Sequence, residues 1–309
     1  MSLPLPPSGE QIEIVHGDQR AWVVEVGGAL RTYRVNRHEV LDGYGAAERC
    51  TDARGQSLIP WPNRLRNGSY RFAGEERQLP LSEPARRNAI HGLVRWSSFA
   101  VAHRESDRVT MRHVLHPRDG YPFMLRIEID YSLSAAGLAV TTTATNVGAE
   151  RCPFGAGAHP YIAAGTPRID PATLRAPGRT RLLADERGIP TGAAPTEGGE
   201  HDFRIARTIG ATVLDTAYTD LERGADGRAV VELAAADDGV AVSVWLDETY
   251  SYVMLFTGDS LPEPERRRRS LGVEPMTCAP DAFRSGDGLL VLEPGESHTG
   301  SWGITCRHR

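Results

Sequence analysis

Four short stretches of the chain set chemically capable side chains among turn-formers and aromatics: residues 62–68, 88–96, 155–161 and 272–282. They carry Asn63 and Arg64, His91, His159, and Glu274 respectively. A glutamate with a reference pKa of about 4.3 starts ionised near neutrality, and a histidine near 6.5 can start as imidazolium. Such a pair meets a substrate in opposite protonation states, which suits proton removal at one atom and proton delivery at another. There is no G-x-S-x-G elbow, no phosphate-binding glycine loop and no dinucleotide fingerprint. Acid-base chemistry without a metal or other cofactor is the expectation that remains.

Each of these residues also has a plain structural reading. His159 lies several residues from any charge, and in an extended chain it shares a face with Tyr161 while Pro160 points away. A satisfied core histidine would look the same, although the flanking glycines allow a backbone or ligand to come close. Glu274 interrupts an apolar strand expected over residues 271–276, where a carboxylate needs a partner, a ligand or an aqueous cleft. A salt bridge to an arginine would serve as well. Glu293 competes with it, but the Pro294-Gly295 turn suggests a solvated strand end. His91 can cap a turn, Arg64 can anchor Glu83, and Asp215 can cap a strand or accept from a hydroxyl. Trp61, Trp96 and Trp245 offer either a flat apolar platform for a ligand or ordinary packing.

The elements that must position these groups read as strands, over residues 11–15, 21–26, 70–72, 109–115, 125–133, 138–145, 229–233, 240–246 and 289–292. Leu125, Ile127, Ile129 and Tyr131 alternate with charged or polar neighbours, as a half-buried strand requires. Residues 135–137 close a hairpin between Leu133 and Leu138, and Asn67-Gly68, Asp119-Gly120 and Asp226-Gly227 are tight-turn pairs. Only residues 46–52 have weak helical character. Many short strands without a long amphipathic helix predict an antiparallel sandwich or barrel spanning residues 1–309 as one domain. Residues 167–203, rich in Gly, Pro, Ala and Arg, read as an excursion at one edge.

The formal net charge is −5 and all 35 cationic residues are arginine, so no nucleic-acid footprint is present. The run Arg266 to Arg269 follows two glutamates and reads as a solvated loop. The four cysteines form no C-x-x-C pair and are expected to be free thiols in a reducing compartment. Without a secretory signal or an apolar run of membrane length, a cytoplasmic location and no membrane partner are expected.

The four stretches, in this order, resemble the aldose 1-epimerase (galactose mutarotase) family over roughly residues 24–302. The phrasing Gly-Ala-His-Pro-Tyr and Val-Glu-Pro-Met-Thr-x-x-Pro-Asp-Ala is most similar to its bacterial branch. The resemblance implies an all-β fold, a large two-layer β-supersandwich of antiparallel strands whose concave face holds a sugar. It implies that Glu274 is the general base at the anomeric hydroxyl and His159 the general acid at the ring oxygen. His91 would hold the ring-oxygen side, Arg64 and Asp215 would bind hydroxyls, and Asn63 would sit beside them. The partner implied is a small-molecule aldose. His159-Pro160-Tyr161-Ile162 stands where characterised galactose mutarotases carry His-Ser-Tyr-Phe, which points to a different substrate preference. Two alternatives stay open. An enzyme acting on hexose 6-phosphates would need two or more arginines on one rim, for which Arg66, Arg86, Arg87 and Arg95 are available. A sugar-binding module would keep the fold without catalysis.

Overall fold

A computed structural model describes residues 5–236 and 239–308. Two antiparallel sheets dominate it. The nine-stranded sheet runs in the spatial order Ala100–Arg104, Arg108–Leu115, Leu125–Ser134, Gly137–Asn146, Ser297–His308, Val240–Leu246, Ala229–Ala234, Thr173–Arg175 and Arg207–Thr208. The eight-stranded sheet runs Pro190–Pro195, Gly178–Ala184, Asp215–Leu221, Tyr252–Phe256, Leu271–Met276, Gly157–Ala158 and Ser57–Leu58, with Tyr161–Ile162 also paired to Leu271–Met276. A four-stranded meander over Gln11–His16, Gln19–Val24, Ala29–Val35 and His38–Glu39 completes the main β-structure. No helix among the described residues is long and apolar enough to cross a membrane.

The alternation of Leu125, Ile127, Ile129 and Tyr131 buries these side chains, and they share one core cluster with Val253, Leu255, Leu271 and Val273 of the other large sheet. Ile12 and Ile14 of the meander join the same cluster. Each such aliphatic side chain withdrawn from water contributes roughly 1.5–3 kcal/mol. The two large sheets and the meander are therefore held by one continuous apolar interior.

The hairpin between Leu133 and Leu138 forms as expected, with Ser134 opposite Gly137. Residues 46–52, which had weak helical character, instead make turns. That stretch is short and contains Cys50 and Thr51, too little to nucleate a helix without packing. Residues 167–203 do more than wander at one edge: Thr173–Arg175 joins the larger sheet, and Gly178–Ala184 pairs with Pro190–Pro195 to form the rim of the other.

The arginine run is not a solvated loop. Arg268 is 7% exposed and ion-pairs with Asp170 and Asp259, while Arg266 and Arg269 both reach the buried Asp42. Their carboxylate partners come from distant parts of the chain, which no local charge pattern displays. All four cysteines are free, as expected.

Candidate active site

The register of the eight-stranded sheet places the site residues. Asp215 lies opposite Phe256, Phe256 opposite Gly272, and Gly272 opposite Tyr161, so these four occupy one row across four strands. Directly opposed residues project from the same face, and so do residues two apart along a strand. Glu274 therefore emerges on the face of Asp215, Phe256 and Tyr161, away from Leu271 and Val273 in the core. Gly272 leaves that row open: a Cβ there would lie 3.6 Å from Cε1 of His159 and 3.2 Å from Cβ of Phe256.

His159 reaches this face from the connection between Gly157–Ala158 and Tyr161–Ile162. Its backbone is clamped on both sides, its N–H donating to the Gln56 carbonyl and its own carbonyl accepting from Gly55. The imidazole stacks on the Tyr161 ring, centroids 4.7 Å apart and planes 11° apart, and the Arg54 guanidinium also lies over that ring at 4.4 Å. Arg54 is 1% exposed and is paired with Asp52 at 3.0 Å. A stack of this kind fixes the imidazole plane at a gain of about 0.5–1.5 kcal/mol.

Asn63 and His91 flank the paired strands Arg64–Arg66 and Asn88–Ile90, and both have backbone φ in the left-handed region. They are tied together: the His91 N–H donates to the Asn63 carbonyl, and the Asn63 N–H donates to Nδ1 of His91 at 3.2 Å. The neighbouring Gly92 has φ +67°, and a Cβ there would meet the Ile59 carbonyl oxygen at 2.0 Å. Only glycine fits this turn. Because Nδ1 of His91 accepts a hydrogen bond, the neutral ring carries its proton on Nε2. Burial, with His159 and Arg95 nearby, holds its pKa well below the usual histidine range, so the ring stays neutral and donates from Nε2.

His159 Nε2 and Glu274 Oε1 lie 3.3 Å apart, and both side chains are almost fully buried. His159 Nδ1 and Glu274 Oε2 have no hydrogen-bond partner among the described residues. Buried polar atoms left in that condition are rare in native proteins and are met by a ligand or water. Both residues line a cavity of about 380 Å³, together with Asn63, Arg64, His91 and Asp215. Every site residue expected from the sequence thus borders one space. Arg64 also carries the structural role foreseen for it, holding Glu83 at 3.0 Å.

The resting protonation differs from the expectation of a carboxylate and an imidazolium. Burial pushes the Glu274 carboxyl up to about 8, with Asp215 adding to the rise and Arg64 opposing it. Burial also pushes His159 down to about 3, with Arg54 and Arg95 adding to the fall. Desolvation disfavours both charged forms, a force that the reference values omit. The pair still shares one proton, now on Glu274.

Four further outcomes qualify the sequence reading. Trp61, Trp96 and Trp245 do not line the cavity: Trp61 packs on Phe283 in the interior, while Trp96 and Trp245 lie under Arg49 and Arg228. The aromatic walls are Tyr161 and Phe256. Arg54 was not singled out by sequence, having no local pattern to mark it. Ligand-type atoms of His91, His159 and Glu274 do lie within 4.8 Å of one another, the spacing of a three-ligand metal site. The His91 tautomer argues against that use, since a metal on Nε2 would have to displace the proton that the Nδ1 hydrogen bond places there. A wider cleft of about 910 Å³ lies elsewhere around Asp42, Arg266 and Arg269, but these charges are paired with one another.

A sequence profile described as aldose 1-epimerase matches residues 10–305. The chain belongs to the aldose 1-epimerase family. The Escherichia coli (strain K12) protein YihR, itself uncharacterized, is 33% identical to this aldose 1-epimerase family member over 292 residues, covering 94% of this chain and 91% of that one. Solved structures share the fold. A GalM/aldose epimerase homologue from C. elegans superposes with a TM-score of 0.86 at 16% identity, covering 97% of this chain and 99% of the other. Galactose 1-epimerase from Lactobacillus acidophilus gives 0.80 at 18% identity, covering 96% and 94%. The fold of the family, a mutarotase-like antiparallel β-supersandwich, is thus the fold of this chain.

Proposed function

We propose that this protein interconverts the α and β anomers of an aldose whose anomeric hydroxyl is free, by opening and reclosing the pyranose ring. The observation that carries this reading is the 3.3 Å approach of His159 Nε2 to Glu274 Oε1 at the wall of a sugar-sized cavity. Ring opening removes a proton from the anomeric oxygen and delivers one to the ring oxygen, and both oxygens are bonded to the same carbon. Base and acid must therefore lie within a few ångströms of each other, as these two do.

In this reading Glu274 is the base and His159 the acid. Passage of the shared proton from Glu274 to His159 creates the carboxylate and imidazolium that the step uses. Arg64, which opposes the rise of the Glu274 pKa, favours that arrangement. The carboxylate takes the anomeric proton as the imidazolium protonates the ring oxygen, and the C–O bond of the ring breaks to give the aldehyde. Rotation about the bond to the aldehyde carbon presents its other face, and the same two groups act in reverse. His91 donates from Nε2 toward the ring-oxygen side, Arg64 and Asp215 take hydroxyls, and Asn63 holds His91 in place. Membership of an epimerase family and the burial of both groups beside open space support catalysis over simple sugar binding.

The pH dependence follows from the proton count. Between about 3 and about 8 the pair holds one proton. Above the upper value the proton is lost and nothing remains for the ring oxygen, so kcat/KM is expected to fall as pH rises through about 8. Toward the lower value a second proton arrives and removes the base. Anomer exchange followed by NMR from about pH 4 to about pH 10, with the spontaneous rate subtracted, checks this. A rate that keeps climbing beyond the upper limb contradicts the one-proton assignment.

A further inference from the structure

Arg54 stands behind the site rather than in it. The side chain is 1% exposed and does not border the cavity, so it cannot touch a bound sugar. Its guanidinium is poorly satisfied: Nη1 donates to Asp52 at 3.0 Å, Nη2 comes no nearer than 3.6 Å to Asp42, and neither Nη2 nor Nε has a hydrogen-bond partner among the described residues. Asp42 is shared in turn with Arg266 and Arg269. Arg223 has the look of an arginine held for structure, donating to the carbonyls of Gly227, Leu246, Asp247 and Tyr250. Taking a charge out of water without full hydrogen bonding is costly, and a buried ion pair often stabilises less than apolar side chains of the same volume. Stability alone therefore does not account for a guanidinium in this place.

What the guanidinium does meet is the Tyr161 ring, within the range of a cation–π contact. That ring is pinned at its polar end as well, its hydroxyl donating to the Asp52 carbonyl at 3.1 Å. The His159 imidazole lies parallel to it, and His91 meets the imidazole edge-on, centroids 5.3 Å apart. Nε2 of His159 is thereby directed at Glu274. The charged and titratable groups around the imidazole are Glu274, His91 and the guanidiniums of Arg54, Arg64 and Arg95, with Asp52 and Asp215 on the same cavity wall. Beyond burial, the three guanidiniums oppose protonation of His159, Arg54 most strongly. In the proposed step His159 and Glu274 share one proton. A second proton, arriving on the imidazole, would leave both groups protonated and the site without a base.

We propose that Arg54 is a positioning residue for ring opening: acting through the Tyr161 ring, its buried charge holds the plane of the His159 imidazole and keeps a second proton off it. This rests on the mutarotase reading and deepens it. An NMR exchange screen of common aldoses with the full-length wild type identifies a working substrate, and acceleration of none of them defeats the mutarotase reading and this inference with it. With that substrate, Arg54→Gln is expected to lower kcat at least about tenfold at neutral pH and to leave KM within about twofold, because the imidazole loses its alignment while the sugar loses no contact. The acid limb of kcat/KM, at about 3 in the wild type, should rise by about one pH unit, the effect of a unit charge at this separation in an effective dielectric of about 20. The limb at about 8, which Asp215 and Arg64 adjust, should stay in place. The variant's rate then starts to fall at a pH where that of the wild type is still level. Arg54→Lys keeps the charge without the flat guanidinium, so the wild-type limb should return while kcat recovers only in part. A merely loosened protein would lose rate without this one-sided shift. Should Arg54→Gln fail to fold, combining it with Asp52→Asn removes the stranded carboxylate, and the acid limb is expected to move in the same direction. A folded variant whose acid limb stays with the wild type, a loss confined to KM, or an Arg54→Lys limb displaced as far as that of Arg54→Gln overturns the proposal while leaving the roles of His159 and Glu274 intact.

Discussion

Glu274→Gln is expected to lower kcat/KM for anomer exchange at least about a hundredfold, within the range typical of a positioned proton-transfer group. An amide cannot accept the anomeric proton, yet it nearly matches the shape and neutrality of the carboxylic acid that burial maintains at this position. The fold should therefore survive. A carboxyl whose folded pKa is raised contributes stability fully present below its unfolded value of about 4.3 and lost as pH rises through the folded one. In the folded protein that limb lies at about 8. Glutamine has no such limb, so the variant should keep its thermal midpoint as pH rises while the wild type loses some of its own. Exchange NMR at one pH with a folding check by circular dichroism suffices, and near wild-type rates from a folded variant refute the assignment.

His159→Ala is expected to cost at least about a hundredfold as well, for the loss of the group that protonates the ring oxygen. It also removes a ring stacked on Tyr161, so a modest fall in thermal midpoint should accompany it. The informative comparison is the double variant. Two residues that act on one shared proton behave as a unit, and removing both should cost scarcely more than removing either. Losses that multiply would mean that the two groups assist separate steps.

Much of the fold was legible because sheet alternation is local. The expected strands over residues 125–133, 138–145 and 240–246 all formed, within a residue at each end, since each combines a period of two with bounding turns. The strands Gly178–Ala184 and Pro190–Pro195 escaped notice because neither has an apolar rhythm of period two: the first sets its two leucines side by side, and the second is mostly proline, glycine and alanine. Pairing decides their conformation instead, Gly178–Ala184 against Asp215–Leu221 and Pro190–Pro195 against Gly178–Ala184.

Site residues divide in the same way. His159 and Glu274 stood out as polar groups in apolar runs, and the resemblance assigned them roles. That they meet at 3.3 Å is set by the pairing of Gly272 with Tyr161, a long-range register that no window of sequence contains. Arg54 and Arg95 show why charge counting along the chain fails. Among so many arginines, only the three-dimensional arrangement separates one paired against Tyr161 from one at the cavity wall. The reference pKa values failed for a related reason: they describe solvated groups, and these two are buried.

The most direct test is a crystal structure of the Glu274→Gln variant with the best aldose from the exchange screen bound in the cavity. The anomeric oxygen should lie within about 3 Å of the residue 274 amide and the ring oxygen within about 3 Å of His159 Nε2. A sugar seated with its anomeric carbon turned away from both side chains would contradict proton transfer by this pair.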